Sequence, residues 1–399
     1  MKVLVIDEWL PWPLENGKKI RTFNLIARLA KKHDILYMAY VRLPEEKNKI
    51  EVFERIGIRV IPAKDIRIPK WTLCFYIEVI KNLFSDQPFS SAYHIKDSFI
   101  EKMLKIIELE QPDLVHCEWT NLAPFLRHVE DIPKVICAHN VESDIWRRLE
   151  KSYSNPLMRL IGSQQAKKIE RLEREWYPKV KHCIAVSPND QRVIEGYGAK
   201  VSLVENGVDI ERYDIRPLEE ESERLIYTAS FETFSNQDAV DFFIDEIFPL
   251  LKIQNPKVNF WIVGKDPPKK FRNYATKDRQ VHVTGTVPDV REYILKSSIC
   301  VIPLRIGGGS RLKILEALAM KKAVVSTSVG AEGLRVRDGE HILIADEPGD
   351  FAAKVSRLLR DPDKRRSLGL AGYELVRSSY DWGKMAEKQD AIWSSLKKE

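Results

Sequence analysis

Cysteine is scarce in this chain of 399 residues, and the five present stand apart: Cys74, Cys117, Cys137, Cys183 and Cys300. No Cys-x-x-Cys pair occurs, so a disulfide scaffold or thiolate metal site is not expected, and the thiols read as reduced and buried. No apolar run approaches the roughly 18 residues needed to cross a bilayer. The first ten residues hold an apolar stretch too short for a leader and broken by Asp7; they read as a first strand. Tandem repeats and low-complexity tracts are missing. So are the Gly-x-x-x-x-Gly-Lys-[Ser/Thr] phosphate loop, a Gly-x-Gly-x-x-Gly turn after the first strand, and an Asp-x-Asp metal motif at a strand end. These absences exclude a nucleoside-triphosphate cradle and a dinucleotide fingerprint. The expectation is a site without metal or cofactor in a cytoplasmic protein, peripheral at most to the inner face of a membrane.

What is present is ordinary globular composition, with 44% hydrophobic and 31% charged residues. The length suits two domains. A net charge of +6, most of it in the N-terminal half, fits phosphorylated small molecules or an anionic membrane surface and falls short of a nucleic-acid binder. Short apolar runs alternate with helical patterns: strands at 2–6, 35–40, 59–61, 114–117, 134–138 and 182–186, and helices at 21–31, 99–109 and 163–175. Phe23, Ile26, Ala27 and Ala30 are placed on one helix face. A strand then runs into Asn206-Gly207, a charged stretch follows, and the alternation restarts with strands at 225–229, 258–263, 281–284, 299–303 and 323–327. Helices are read at 239–251, 290–296 and 310–320. The predicted fold is α/β, with two Rossmann-like doubly wound domains over 1–205 and 206–379. The amphipathic helix 380–399, carrying Trp382, Met385, Ile392 and Trp393, completes the first. Ligands in such sheets bind beyond the carboxyl ends of the strands.

The most informative stretch is 301–333. A strand ends at Pro303, Gly307, Gly308 and Gly309 follow, and a helix opens near Ser310. Bare backbone amides at a helix start suit a phosphate. Arg311 and Lys313 put two cations in the first turn, where they oppose the helix dipole; the conflict makes sense if a diphosphate lies between them, and otherwise they are a solvated basic helix end. Glu316, one turn on, can accept two hydrogen bonds from ribose hydroxyls or pair with Lys313.

These residues resemble the retaining glycosyltransferases of family 4, with a GT-B fold of two Rossmann-like domains facing across a cleft. Glu316 matches the second of the family's two signature glutamates, which binds the donor ribose. The first falls on Gly308, a departure, and Ala229-Ser230-Phe231 stands where the family has Gly-Arg. Residues 307–319, 324–327 and 330–334 are similar to a subgroup associated with exopolysaccharide synthesis, in which Arg311 and Lys313 would hold the phosphates. Residues 205–209, 229–251, 138–142, 11–21 and 281–290 extend the resemblance over nearly the whole chain, with Val287 near the base of the donor. The resemblance implies a UDP- or GDP-sugar donor and retention by front-face attack. The acceptor would be a glycan, a lipid-linked saccharide or a small molecule, with no nucleic-acid partner. It also places His139, after the strand 134–138, against the donor sugar; a histidine bonded to a local carbonyl is the other reading, and His116 reads as structural.

The acceptor is assigned to the first domain, at Gly17, Lys18 and Arg21, with Trp9, Trp12, Lys19 and the segment 70–84 as further aromatic and basic surface. The apolar stripe in 71–84 reads first as core packing. Two rival functions stay open: a nucleotide-sugar epimerase on the same plan, and a nucleotide-binding scaffold without turnover, for which Gly308 leaves room.

Overall fold

Because both faces of a parallel sheet are covered, its central strands read as nearly continuous apolar runs, and among the described residues thirteen strands form two sheets in the computed structural model. The structure describes every residue except 45, 66, 70, 71, 154, 216, 217, 307–311 and 397–399, and only the backbone at 152. The chain divides into two units: Met1–Glu205 with Met385–Glu399, and Asn206–Lys384.

In the first unit the strands are β1 (Lys2–Trp9), β2 (Asp34–Val41), β3 (Arg59–Lys64), β4 (Leu114–Cys117), β5 (Lys134–Ala138), β6 (His182–Ala185) and β7 (Val201–Leu203). They pair in parallel in the order β3-β2-β1-β4-β5-β6-β7. The order reverses between β1 and β4, so the crevice beyond their carboxyl ends is where this topology leaves room for a ligand. Helix α1 (Gly17–Leu29) starts there, its N-terminus capped by the Asn16 side chain, which accepts from Lys19 N. Its buried stripe is Thr22, Leu25, Ile26 and Leu29. Of the four residues read on one face, Ile26 is inside, while Phe23, Ala27 and Ala30 lie half-buried at the edge of this stripe, and Phe23 packs against Trp12 and Phe53.

Helix α2 (Leu73–Leu83) was expected only as an apolar stripe. Helices α3 (Glu142–Ser152) and α4 (Pro156–Trp176) pack on each other. Four cysteines are buried and Cys74, on α2, is exposed, against the expectation for it.

The second unit repeats the plan with β8 (Glu221–Thr228), β9 (Asn259–Val263), β10 (Val281–Gly285), β11 (Ser297–Ile302), β12 (Ala323–Ser326) and β13 (Leu343–Ile344), ordered β10-β9-β8-β11-β12-β13. All pairs are again parallel, and the reversal falls between β8 and β11. Gly264, just past β9, has φ +149°, and a Cβ there would sit 1.7 Å from the Ala229 carbonyl oxygen; only glycine lets the exits of β8 and β9 approach so closely.

The helix expected over 239–251 is not continuous. An α-segment Phe234–Phe242 passes through a π-turn, Phe243–Ile247, into Phe248–Gln254. Pro249 has no N–H for the regular ladder, and the wider turn absorbs the loss. After β11 comes α5 (Leu312–Ala319). The last helix, α6 (Trp382–Ser395), begins in the second unit and belongs to the first from Met385 onward. Trp382, Met385, Ile392 and Trp393 are all buried. Among the described residues no helix is long and apolar enough to cross a membrane.

Candidate functional site

Each unit gathers polar side chains at the carboxyl edge of its sheet, beside the reversal of strand order. In the first unit β1 delivers Asp7 and Glu8, β4 ends just before Glu118, and β5 ends just before His139. Lys18, in the first turn of α1, donates to Asp7 Oδ1 at 2.7 Å and Glu8 Oε1 at 2.9 Å. Tyr37 Oη donates to Asp7 Oδ2 at 2.6 Å. Burial pushes the Asp7 carboxyl up to about 6 although Lys18 opposes it. Burial would also lift Glu8, but the charges of Lys18 and His94 bring it below the ordinary carboxylate range. The two carboxylates overcome burial to raise Lys18, which stays an ammonium.

Glu118 is the hub of this edge. Thr22 Oγ1 donates to its Oε1 at 2.7 Å, His116 Nε2–H to its Oε2 at 2.7 Å, and His139 Nε2 lies 3.2 Å from Oε1 with a bent approach. Trp393 Nε1 on α6 donates to His116 Nδ1 at 3.2 Å, which fixes the proton of that ring on Nε2. Burial works against a charged Glu118, yet the bond from His116 and the closeness of the His139 ring hold its carboxyl well below the usual range. Burial pushes His139 down against the pull of Glu118, so a neutral imidazole faces the ionised carboxylate.

Of the described residues, His116, Glu118 and Cys137 have donor atoms within 4.8 Å of one another, close enough to share a cation. Both nitrogens of His116 are already hydrogen-bonded, and burial pushes the Cys137 thiol up to about 12. The set behaves as a hydrogen-bonded cluster.

Of the residues assigned to the acceptor, Gly17 opens α1, Lys18 is held by the two carboxylates, and Arg21 is buried, donating to the Glu205 carbonyl at 2.7 Å. Trp9 lies against the Arg67 guanidinium at 3.8 Å. Lys18 and Arg21 thus have intramolecular roles instead of forming an open basic surface.

In the second unit Lys313 Nζ lies 2.9 Å from both Tyr227 Oη, near the end of β8, and Asn236 Oδ1. Asn236 is itself oriented by donating to the Ser230 carbonyl at 2.7 Å. Glu316, one turn further along α5, accepts from Tyr213 Oη at 2.8 Å, and burial raises its pKa. Val287 stands half-buried in the turn after β10, packed on the second core. Gly307, Gly308, Gly309, Ser310 and Arg311 lie outside the described residues. The structure therefore brings Lys313 and Glu316 to one edge, with Tyr227, Asn236 and Tyr213 as supports that sequence reasoning did not single out. Glu118, Asp7 and Glu8 were missed as well. The signal for Glu118 was its place two residues after His116 at a strand end; Tyr213 offered none.

Residues 15–212 match the family model described as Glycosyltransferase Family 4, and residues 222–361 the model described as Glycosyl transferases group 1. The chain belongs to the glycosyltransferases of the GT-B fold. An uncharacterized glycosyltransferase of Methanocaldococcus jannaschii is 29% identical over 170 residues, 41% of this chain and 46% of the relative. A putative teichuronic acid biosynthesis glycosyltransferase of Bacillus subtilis, TuaC, is 24% identical over 298 residues, 69% of each chain. The matches thus span under half the length of the first curated relatives, 46% of the methanogen protein and 42% of a Klebsiella pneumoniae protein from a cps region. Among solved structures, Anabaena HepE in complex with UDP and glucose superposes with a TM-score of 0.69 at 14% identity, covering 99% of this chain and 100% of that one. Sucrose-phosphate synthase of Thermosynechococcus elongatus gives 0.71 at 15%, covering 99% and 98%. These likenesses establish the fold.

Proposed function

We propose that the protein transfers a sugar from a nucleotide-sugar donor, UDP- or GDP-linked, to a glycan or lipid-linked acceptor in cell-surface polysaccharide synthesis, with retention of configuration and without metal or cofactor. One observation carries the reading. Lys313 and Glu316 stand one turn apart on α5, at the carboxyl edge where the second sheet reverses its order, one holding a fixed cation and the other a carboxyl group. That pair suits a diphosphate beside a ribose. Anabaena HepE with UDP and glucose, and the teichuronic acid assignment of TuaC, support the donor class and the polymer context.

The chemistry follows from charge. The bond from the anomeric carbon to the diphosphate breaks, and negative charge grows on the leaving group while the sugar gains oxocarbenium character. Lys313, with Arg311 and the glycine amides expected beside it, stabilises the first; one such donor is typically worth about 10²–10³ in rate. The acceptor hydroxyl bonds to the same face of the anomeric carbon and its proton passes to a phosphate oxygen. Acceptor binding belongs to the first domain, whose edge carries Asp7 near neutrality and a neutral His139 as groups able to hold a proton.

The test is a panel of UDP- and GDP-sugars scored for binding, donor hydrolysis and transfer. Binding followed by transfer supports the proposal. Binding without hydrolysis or transfer to any acceptor class points to a scaffold, and release of an epimerised donor points to an epimerase.

A further inference from the structure

Helix α2 turns an apolar stripe outward. Leu73, Ile77, Ile80 and Phe84 follow at helical spacing on one face, and they are 77%, 42%, 57% and 90% exposed. Tyr76 flanks them, 47% exposed. This corrects the expectation that the stripe is core; of that segment, 70 and 71 lie outside the described residues.

The opposite face fixes the helix in place. Phe75 meets Phe89 and Tyr93 edge-on at 5.4 and 6.0 Å. Buried Asn82 accepts from Gln165 Nε2 at 3.1 Å, and its carbonyl accepts from Lys168 Nζ at 2.6 Å, both from α4. Gln164 Nε2 donates to the Leu83 carbonyl at 2.6 Å. Leu160, four residues before Gln164 and on the same side of α4, is 67% exposed, so the apolar surface continues onto the start of α4.

We infer that this face, the stripe of α2 with the first turns of α4, docks the first domain on an anionic phospholipid bilayer. Charge favours that occupant. From Pro156 to Ile169, α4 exposes Arg159 and Lys167 and carries no acidic residue. On α2 itself Lys81 balances Glu78, and the neighbouring Asp86 is paired with Arg171 at 3.5 Å. Lys81 and Lys96 also line a cavity of about 220 Å³ beside Phe75, Phe89 and Tyr93, which sets a second cation next to the helix.

Size favours it too. A stripe of three turns, about 16 Å long, matches an interfacial helix with its apolar face in the headgroup boundary. A stable protein interface needs about 20–30 residues a side. Tyr76 at the margin has the amphipathic ring found at membrane surfaces. The inference rests on the reading of a lipid-linked acceptor, yet its test needs no transfer.

Full-length protein is sedimented with vesicles of phosphatidylcholine, with and without phosphatidylglycerol. The expected result is binding to the phosphatidylglycerol vesicles that weakens as salt rises. The double change Ile77→Ser and Ile80→Ser lowers it at least about tenfold, while UDP or GDP binding stays at the wild-type level. Cys74 is the exposed cysteine on α2 and the other four are buried. An environment-sensitive dye attached there shifts to the blue with the same vesicles. Wild-type protein left in the supernatant, or a double variant that binds as tightly as wild type, overturns the inference. A concentration-dependent dimer dissolved by the double change, without vesicle binding, overturns it in favour of a second copy of the chain. Vesicle binding by a protein that binds no nucleotide would leave the inference standing and refute the transferase reading instead.

Discussion

Replacing Lys313 with alanine separates the two roles assigned to α5. The ammonium lies 2.9 Å from Tyr227 Oη and Asn236 Oδ1, and those two partners also bond each other at 2.9 Å. Removing the cation leaves that bond intact, so stability should change by only about 1 kcal/mol, the worth of an ordinary hydrogen bond. A hydrogen bond to a charged group contributes roughly 1.5–3 kcal/mol, so affinity for a diphosphate should fall about tenfold to a hundredfold. Glu316→Gln keeps an acceptor for Tyr213 Oη and replaces the second carboxylate oxygen with an amide, so a ribose diol loses one of its two acceptors. Isothermal titration with UDP, GDP and inorganic pyrophosphate reads both. Lys313→Ala should weaken the nucleotides and pyrophosphate alike; Glu316→Gln should weaken the nucleotides and spare pyrophosphate. Affinities for all three ligands within about twofold of wild type in Lys313→Ala, a change too small for a lost charged bond, would refute the reasoning.

Burial raises Glu173 to about 7 from an ordinary 4.5, so the folded state binds the extra proton and stability declines as pH rises from about 4.5 through about 7, by about 3 kcal/mol. Glu173→Gln, which can still pair with the Ser143 hydroxyl and N–H, should remove that decline from urea titrations taken across the interval; an unchanged pH slope would contradict it. Gly264→Ala should cost more than about 3 kcal/mol, because the new Cβ meets the Ala229 carbonyl oxygen at 1.7 Å; a melting temperature equal to wild type would contradict the geometry. Trp393→Phe keeps an aromatic ring in its buried place but removes the bond to His116 Nδ1. Nitrogen NMR should still show the Nε2–H tautomer of His116, held by Glu118, while urea unfolding records a loss of about 1–3 kcal/mol for the Nδ1 left without a donor; wild-type stability would contradict the bond.

Much of this protein was legible in one dimension. Runs such as Val3–Ile6, Leu114–Cys117 and Val324–Ser326 could only be buried strands, because the helices between them are long enough to cover both faces of parallel sheets. In such parallel sheets ligands lie beyond the carboxyl ends of the strands, which marks the edge where Lys313 and Glu316 stand. Local chemistry also marked the helix after the glycines, where cations sit against the dipole.

What the sequence could not decide was which distant groups meet. Glu118 is one acid among 58 until the sheet sets β1, β4 and β5 side by side and α6 brings Trp393 from 277 residues away onto His116. Tyr213 and Glu316 are 103 residues apart in the chain. The stripe of α2 shows the same limit from the other direction: its spacing announces a helix with an apolar face, but whether that face is core or surface depends on which side Asn82 and Phe75 anchor. Periodicity is a property of neighbours along the chain. Burial and pairing are properties of neighbours in space, and only the folded sheets make those.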